Sequence, residues 1–108
     1  MFWYKATINS PAGLGFASNQ QMMGGSQNSI VLNAWNHYLV KKTSDSLLFY
    51  INGVISSSTA IQFNNPNTSA DLRFGGQEIN GGSQWWWGKL DDIAIYNRSL
   101  SNTEIQQL

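Results

Sequence analysis

Trp85-Trp86-Trp87-Gly88-Lys89-Leu90-Asp91-Asp92-Ile93-Ala94-Ile95-Tyr96-Asn97-Arg98-Ser99-Leu100-Ser101-Asn102-Thr103-Glu104-Ile105 reads as a strand, a turn and a short capped helix. An aromatic run meets Gly88, and aliphatics then mix with the carboxylates of Asp91 and Asp92. Ser101 stands three residues before Glu104, the spacing of a capping box. The Ser101 hydroxyl can accept from the Glu104 N–H while the Glu104 carboxylate reaches back to the Ser101 N–H, and Leu100 and Ile105 sit where a hydrophobic staple would close. A helix this short is unstable alone in water, so packing must hold it. Parity along the strand is in conflict: Leu90 falls with Asp92, Ala94 and Tyr96, whereas Ile93 and Ile95 fall with Asp91. Either both faces are covered or a bulge near Gly88 shifts the register.

Working outward, the next local signal is Asn52-Gly53, between Leu47 to Ile51 and Val54 to Ser58. Both central residues of a type I′ turn need positive φ, which Asn-Gly supplies, so a two-residue hairpin is expected. Phe2 to Ile8 reads as a strand ended by Asn9-Ser10-Pro11-Ala12-Gly13, and Leu14 to Met23 as another closed by Gly24-Gly25-Ser26. Ile30-Val31-Leu32 with Trp35 to Lys41 makes one long or interrupted strand, and Thr43-Ser44-Asp45-Ser46 a tight loop. Leu72-Arg73-Phe74-Gly75 reads as a short strand between the loops Asn64 to Ser69 and Asn80 to Ser83. About seven short strands with regular turn signals predict an all-β antiparallel sandwich or jelly roll. Trp35 is expected in the core, and His37 is expected to be a strand residue with its ring satisfied.

The 108 residues have zero formal net charge and 11% charged residues, and are read as one domain over 1–108. With no basic field to neutralise phosphates, nucleic acid is excluded as a partner class, and anionic membrane surfaces are disfavoured for the same reason. No apolar run reaches transmembrane length, so membrane insertion is not expected. The chain has no cysteine, hence neither disulfides nor thiolate metal sites. Asn, Ser, Gln, Thr and Gly supply the solvating surface instead. That character suits an extracellular, cell-surface or virion-surface β protein, although no targeting signal is present in the chain.

Three stretches, in order, carry a family resemblance. Asn33-Ala34-Trp35-Asn36-His37-Tyr38-Leu39-Val40 resembles a Trp-x-His strand, Leu48-Phe49-Tyr50-Ile51-Asn52-Gly53-Val54 a Leu-Tyr-Val-Asn-Gly hairpin, and Gly88 to Ile105 a closing strand followed by a Tyr-Asn-Arg-Ser-Leu-Ser turn and a Glu-Ile helix. Together they resemble laminin G-like domains of the concanavalin A-like lectin/glucanase superfamily, best over residues 30–108. The resemblance implies a concanavalin A-like jelly roll, here shortened in its early strands, with a short C-terminal helical turn. Missing strands leave open sheet edges, so self-association into a homo-oligomer is expected.

The superfamily includes glucanases, and glycoside hydrolysis needs two carboxylates facing one another at about 5 to 10 Å. Asp91 and Asp92, as neighbours on a strand, would point to opposite faces. Asp45, Asp71, Glu78 and Glu104 fall in or beside loops, and no catalytic residue is assigned. The expected function is therefore non-catalytic recognition, with carbohydrate as the first ligand class. Trp85 and Trp87 share a face by alternation, and Asn80 and Gln84 could supply paired donors and acceptors to sugar hydroxyls. The alternative is a structural or adhesion module that makes protein–protein contacts and binds no sugar. No cofactor is required. The resemblance adds the expectation of a structural calcium ion, for which Asp91 and Asp92 are the candidate ligands, with Asn80 or Asp71 contributing; the competing reading is that Asp91 locks the turn by accepting buried backbone hydrogen bonds.

Overall fold

The computed structural model describes residues 1–6, 14–18, 21–26, 31–61, 73–79, 82–85 and 88–108. Nine strands precede one helix among them: β1 (Phe2–Ala6), β2 (Leu14–Ser18), β3 (Gln21–Ser26), β4 (Asn36–Lys42), β5 (Ser46–Ile51), β6 (Val54–Ala60), β7 (Gly76–Ile79), β8 (Gly82–Trp85), β9 (Gly88–Asp91) and α1 (Asn102–Gln106). A five-stranded antiparallel sheet runs in the order β6-β5-β4-β1-β9, with β2–β3 and β7–β8 as separate two-stranded pairs. The class is the all-β antiparallel one expected, with the short helix at its C-terminal side.

Register divides the central residues between two faces. Val40 pairs with Phe49 and Tyr38 with Ile51, so these four side chains lie on one face, and Leu47 and Leu90 join them. The Tyr38 and Phe49 rings stack there, with centroids 6.4 Å apart. Leu39 and Tyr50 pair on the other face, where Leu100 and Ile105 cover them and Met1 and Leu48 add to the cluster. A sheet buried on both sides needs apolar residues at successive positions rather than in alternation. That explains Tyr38-Leu39-Val40 and Leu47-Leu48-Phe49-Tyr50.

α1 survives as one turn because its ends are satisfied and its apolar side is buried. The Ser101 hydroxyl accepts from the Glu104 N–H at 3.2 Å, and the Ser101 N–H donates to the Glu104 carboxylate at 2.7 Å. Leu100 and Ile105, the expected staple, are both buried in one cluster. Arg98 grips the same carboxylate with two bonds, at 3.1 and 2.7 Å. The Arg98 bonds, followed by those from Ser101, hold the Glu104 carboxyl down at about 2.

The hairpin forms as its sequence dictates, with Asn52 at φ 50 and Gly53 at φ 78. Its side chain does more than permit the turn. The Asn52 N–H donates to the His37 carbonyl at 2.9 Å, while the Asn52 Oδ1 accepts the His37 N–H at 2.8 Å, standing where a strand carbonyl would otherwise be.

Other expectations shift. Leu14 to Met23 forms two paired strands rather than one, and Gly24-Gly25-Ser26 lies inside β3 instead of closing it. Val31 and Leu32 belong to a turn, with Asn33 at φ 59, so the strand begins only at Asn36. Arg73-Phe74-Gly75 is not a strand: Gly75 takes φ 75 and β7 starts after it. β8 begins within the expected loop, at Gly82. Trp35 is 44% exposed and not a core residue, because the turn ends at it and β4 starts one residue later. Thr7, Ile8, Ile30, Leu72 and the loop Asn64 to Ser69 lie outside the described residues.

Two tests follow from the turn and the cap. Asn52→Gly keeps the left-handed turn but orphans the buried His37 N–H and is expected to cost about 1–2 kcal/mol in urea unfolding. Asn52→Ala should cost about 1 kcal/mol more, because the backbone strain is added. Because the folded Glu104 carboxyl lies below its ordinary value near 4.5, its contribution is complete above that pH and is lost as pH falls toward about 2. Melting temperature between pH 5 and 2 should therefore fall less steeply in Glu104→Gln than in the parent.

Candidate functional site

One end of the five-stranded sheet collects the turn Val31 to Trp35, the hairpin turn Asn52–Gly53 and the end of α1. Asn36 joins the first two. Its Nδ2 donates to the Val31 and Ala34 carbonyls at 3.3 and 3.1 Å, while its Oδ1 accepts from the Asn52 Nδ2 at 3.2 Å. Buried at the head of β4, Asn36 carries a polar amide whose donors and acceptor are all used, as burial requires. Gly53 lies against the helix: a Cβ there would sit 3.9 Å from the Gln106 Cα.

This scaffold displays apolar side chains to solvent. Trp35, Val31 and Leu32 are exposed on the turn, and Val54, at 68%, and Ile55 are exposed where β6 leaves the hairpin. Nothing local separates such a Trp from a core one, apart from the turn-forming Asn33 two residues before it.

His37 is buried beside Asn36, with its Nε2 3.3 Å from the Met1 Sδ. Burial, and secondarily the positive amino group of Met1, push the imidazole below its ordinary range. It is a strand residue, as expected, with its ring in contact with the Met1 sulfur.

The acidic pair lies elsewhere. Trp3 pairs with Asp91, the last residue of β9, whereas Met1 exchanges main-chain bonds with Ala94 at 2.9 and 3.0 Å. Two steps along β1 thus match three on the other side, and the extra residue is Asp92, at φ 48. Of the two solutions to the parity conflict this is the register shift, placed at Asp92 and not near Gly88. It turns Leu90 toward one core and Ala94 toward the Met1 side. Asp92 consequently lies past the strand end, and the two carboxylates are not opposed across a strand. The Asp91 Oδ1 accepts the Asp92 N–H at 2.9 Å, which fastens the bulge. Both residues are exposed, so that bond is not the buried one anticipated.

Calcium takes six to eight oxygen ligands. No group of three or more His, Cys, Asp or Glu side chains suited to a metal occurs among the described residues. Asp71 and Asn80, the other oxygens considered, lie outside the described residues. Of the proposed sugar platform, Gln84 and Trp85 lie on β8, opposite Gln77 and Gly76. Asn80, Trp86 and Trp87 lie outside the described residues, and so does the side-chain setting of Gln84 and Trp85.

Two further carboxylates, those of Asp45 and Glu104, are committed to local bonds. Asp45 accepts from the Thr43 hydroxyl at 2.9 Å, which with Ser46 holds its carboxyl below the ordinary value. Glu104 belongs to the cap and to Arg98.

With this geometry in place, comparison with known proteins gives one family and one relative. A family model described as the concanavalin A-like lectin/glucanases superfamily, of the laminin G type, matches residues 4–106. Mouse Usherin is 29% identical over 84 residues, covering 73% of this chain and 2% of that protein. The chain thus spans a small fraction of the curated relative it matches. No solved structure matches it.

The bulge makes its own prediction. Asp92→Gly removes the left-handed penalty and should be neutral or stabilising by up to about 1 kcal/mol. Asp92→Val should destabilise by about 1–3 kcal/mol, read as a lower urea midpoint with an unchanged slope.

Proposed function

The chain belongs to the concanavalin A-like lectin/glucanases superfamily as a laminin G-like domain, and from that premise we propose that it works as a non-catalytic recognition module. The observation that carries this reading is the division of labour on its surface. Asp45, Asp91 and Glu104 are spent on turn, bulge and cap bonds, while Trp35 and its aliphatic neighbours face solvent. A glycosidase pair needs two carboxylates facing across a cleft; binding needs only an exposed aromatic face with hydrogen-bonding groups nearby. The polar, weakly charged composition agrees with an extracellular or particle-surface setting. Among the described residues, no helix is long and apolar enough to cross a membrane.

Two ligand classes are compatible with this role. Carbohydrate is the reading for Trp85 and Trp87 with Asn80 and Gln84, whose aromatic and amide chemistry suits stacking on sugar rings and bonding to hydroxyls. A protein partner is the reading for the sheet end, because exposed Val31 and Leu32 on the Trp35 turn and exposed Val54 after the hairpin are branched aliphatics that give a sugar hydroxyl nothing to bond. A structural calcium ion at Asp91 and Asp92 would need further oxygens beyond the described ones.

A glycan array probed with and without calcium, using Trp85→Ala, Trp87→Ala and Trp35→Ala variants, tests the proposal. Carbohydrate recognition predicts binding lost in Trp85→Ala or Trp87→Ala and retained in Trp35→Ala. Silence of the folded protein across the array rejects the glycan form. A calcium-dependent rise in melting temperature, abolished in Asp91→Asn, would establish the ion, and no rise at millimolar calcium rejects it.

A further inference from the structure

The two edges of the five-stranded sheet are built differently. β9 is four residues long, carries Lys89 and Asp91, and breaks its own ladder with the Asp92 bulge. Short length, charge and bulging are the devices that keep an edge from pairing with another chain. β6 has seven residues, Val54-Ile55-Ser56-Ser57-Ser58-Thr59-Ala60, with no charge and no proline.

Hydrogen-bond alternation fixes which β6 groups turn outward. Asn52 and His37 exchange bonds toward β4, so Tyr50 and Leu48 also face β4, while Ile51, Phe49 and Leu47 face β6. Their partners Val54, Ser57 and Thr59 therefore turn main-chain groups inward. Ile61 keeps the phase, its N–H donating to the Asp45 carbonyl at 2.8 Å. Ser58 and Ala60 consequently turn their N–H and carbonyl groups away from β5. Among the described residues, no strand pairs with β6 on that side. β3 contacts β6 and also β5, which puts it over a face of the sheet and not beside the edge. The half-buried Ser57 and Thr59, on the Phe49 face, mark the side it covers.

We propose that this edge pairs antiparallel with β6 of a second copy of the chain, continuing the sheet across a two-fold axis that passes within one residue pair of Ser58. A second copy is the occupant because the edge complements itself. A two-fold makes an antiparallel pair self-complementary, residue i facing j as j faces i, with only the residues at the axis facing their own copies, and like charges placed opposite one another are destabilising. The Ser58–Ala60 edge carries no charge to repel at any register, whereas β9 sets like charges together whenever the axis falls at Lys89 or Asp91. The outward N–H and carbonyl groups of Ser58 and Ala60 then find partners of the same strand geometry, and exposed Val54 and Ile55 gain apolar neighbours at the ends of the junction.

Sedimentation equilibrium over a wide concentration range, with the full chain and three Ser58 variants, tests this. The parent should show a reversible monomer–dimer equilibrium. Ser58→Pro deletes an outward N–H without touching the β5 ladder and should lose the dimer with its circular dichroism unchanged. Ser58→Lys brings two ammonium groups together and should lose the dimer at low salt and partly regain it at high salt. Because the chain has no cysteine, Ser58→Cys carries a single nitroxide, which should show dipolar broadening on dimerisation; the same label at Lys89→Cys should show none. A parent that stays monomeric throughout overturns the proposal. So does a dimer that survives in Ser58→Lys at low salt with an unbroadened Ser58 label, and these two readouts decide the matter even if Ser58→Pro does not fold.

Discussion

Strands β4 and β5 bear large apolar side chains on both faces, and the rest of the structure answers to that constraint. Phe49 and Tyr38 cannot be left in water on one side any more than Leu39 and Tyr50 on the other. One face is met by β3 approaching over β5 and β6. The other is met by Leu100 and Ile105, delivered by a helix of a single turn. Such a helix has almost no stability of its own, so the capping box and the Arg98–Glu104 pair are best understood as devices that keep a lid in shape. Glu104 serves both at once. Its carboxylate is partly exposed to solvent, where screening weakens the charge and leaves geometry the larger part.

The polar interior follows from the same constraint. Once the sheet is covered, the N–H of His37 has no water to turn to, and the Asn52 side chain provides its partner. Asn52 in turn fixes Asn36, and Asn36 fixes the Val31 and Ala34 carbonyls. A chain of amides thereby carries the shape of the hairpin turn to the loop that displays Trp35. A recognition surface built this way is rigid at its root although its side chains are exposed.

The features legible in the sequence were those decided within a few residues. Asn52-Gly53 and Ser101 to Glu104 each contain the whole of their own physics, so turn and cap could be read directly. The Asp91–Asp92 stretch posed a parity conflict with two physical solutions, and the choice depended on the β1 strand far away in sequence, where Met1 selects Ala94. Trp35 was misjudged because hydrophobicity alone does not say on which side of a strand start a residue falls. The Gly24-Gly25-Ser26 stretch looked like a stop but forms ladder, since glycine is tolerated in a strand that has a partner to hold it. For the sugar platform, alternation could pair Trp85 with Trp87, and Trp86 and Trp87 lie outside the described residues.

Only 11% of the residues are charged, and among the described residues the carboxylates of Asp45, Asp91 and Glu104 are tied into a turn, a bulge and a cap. Long-range steering of a partner is weak, because steering needs a net field that this chain lacks. What remains for binding is short-range: aromatic faces, amides and the unspent main-chain groups of a sheet edge. Each acts only on contact and depends on shape. Selectivity would then come from fit and hydrogen-bond satisfaction, and association would change little with salt wherever charges are not introduced.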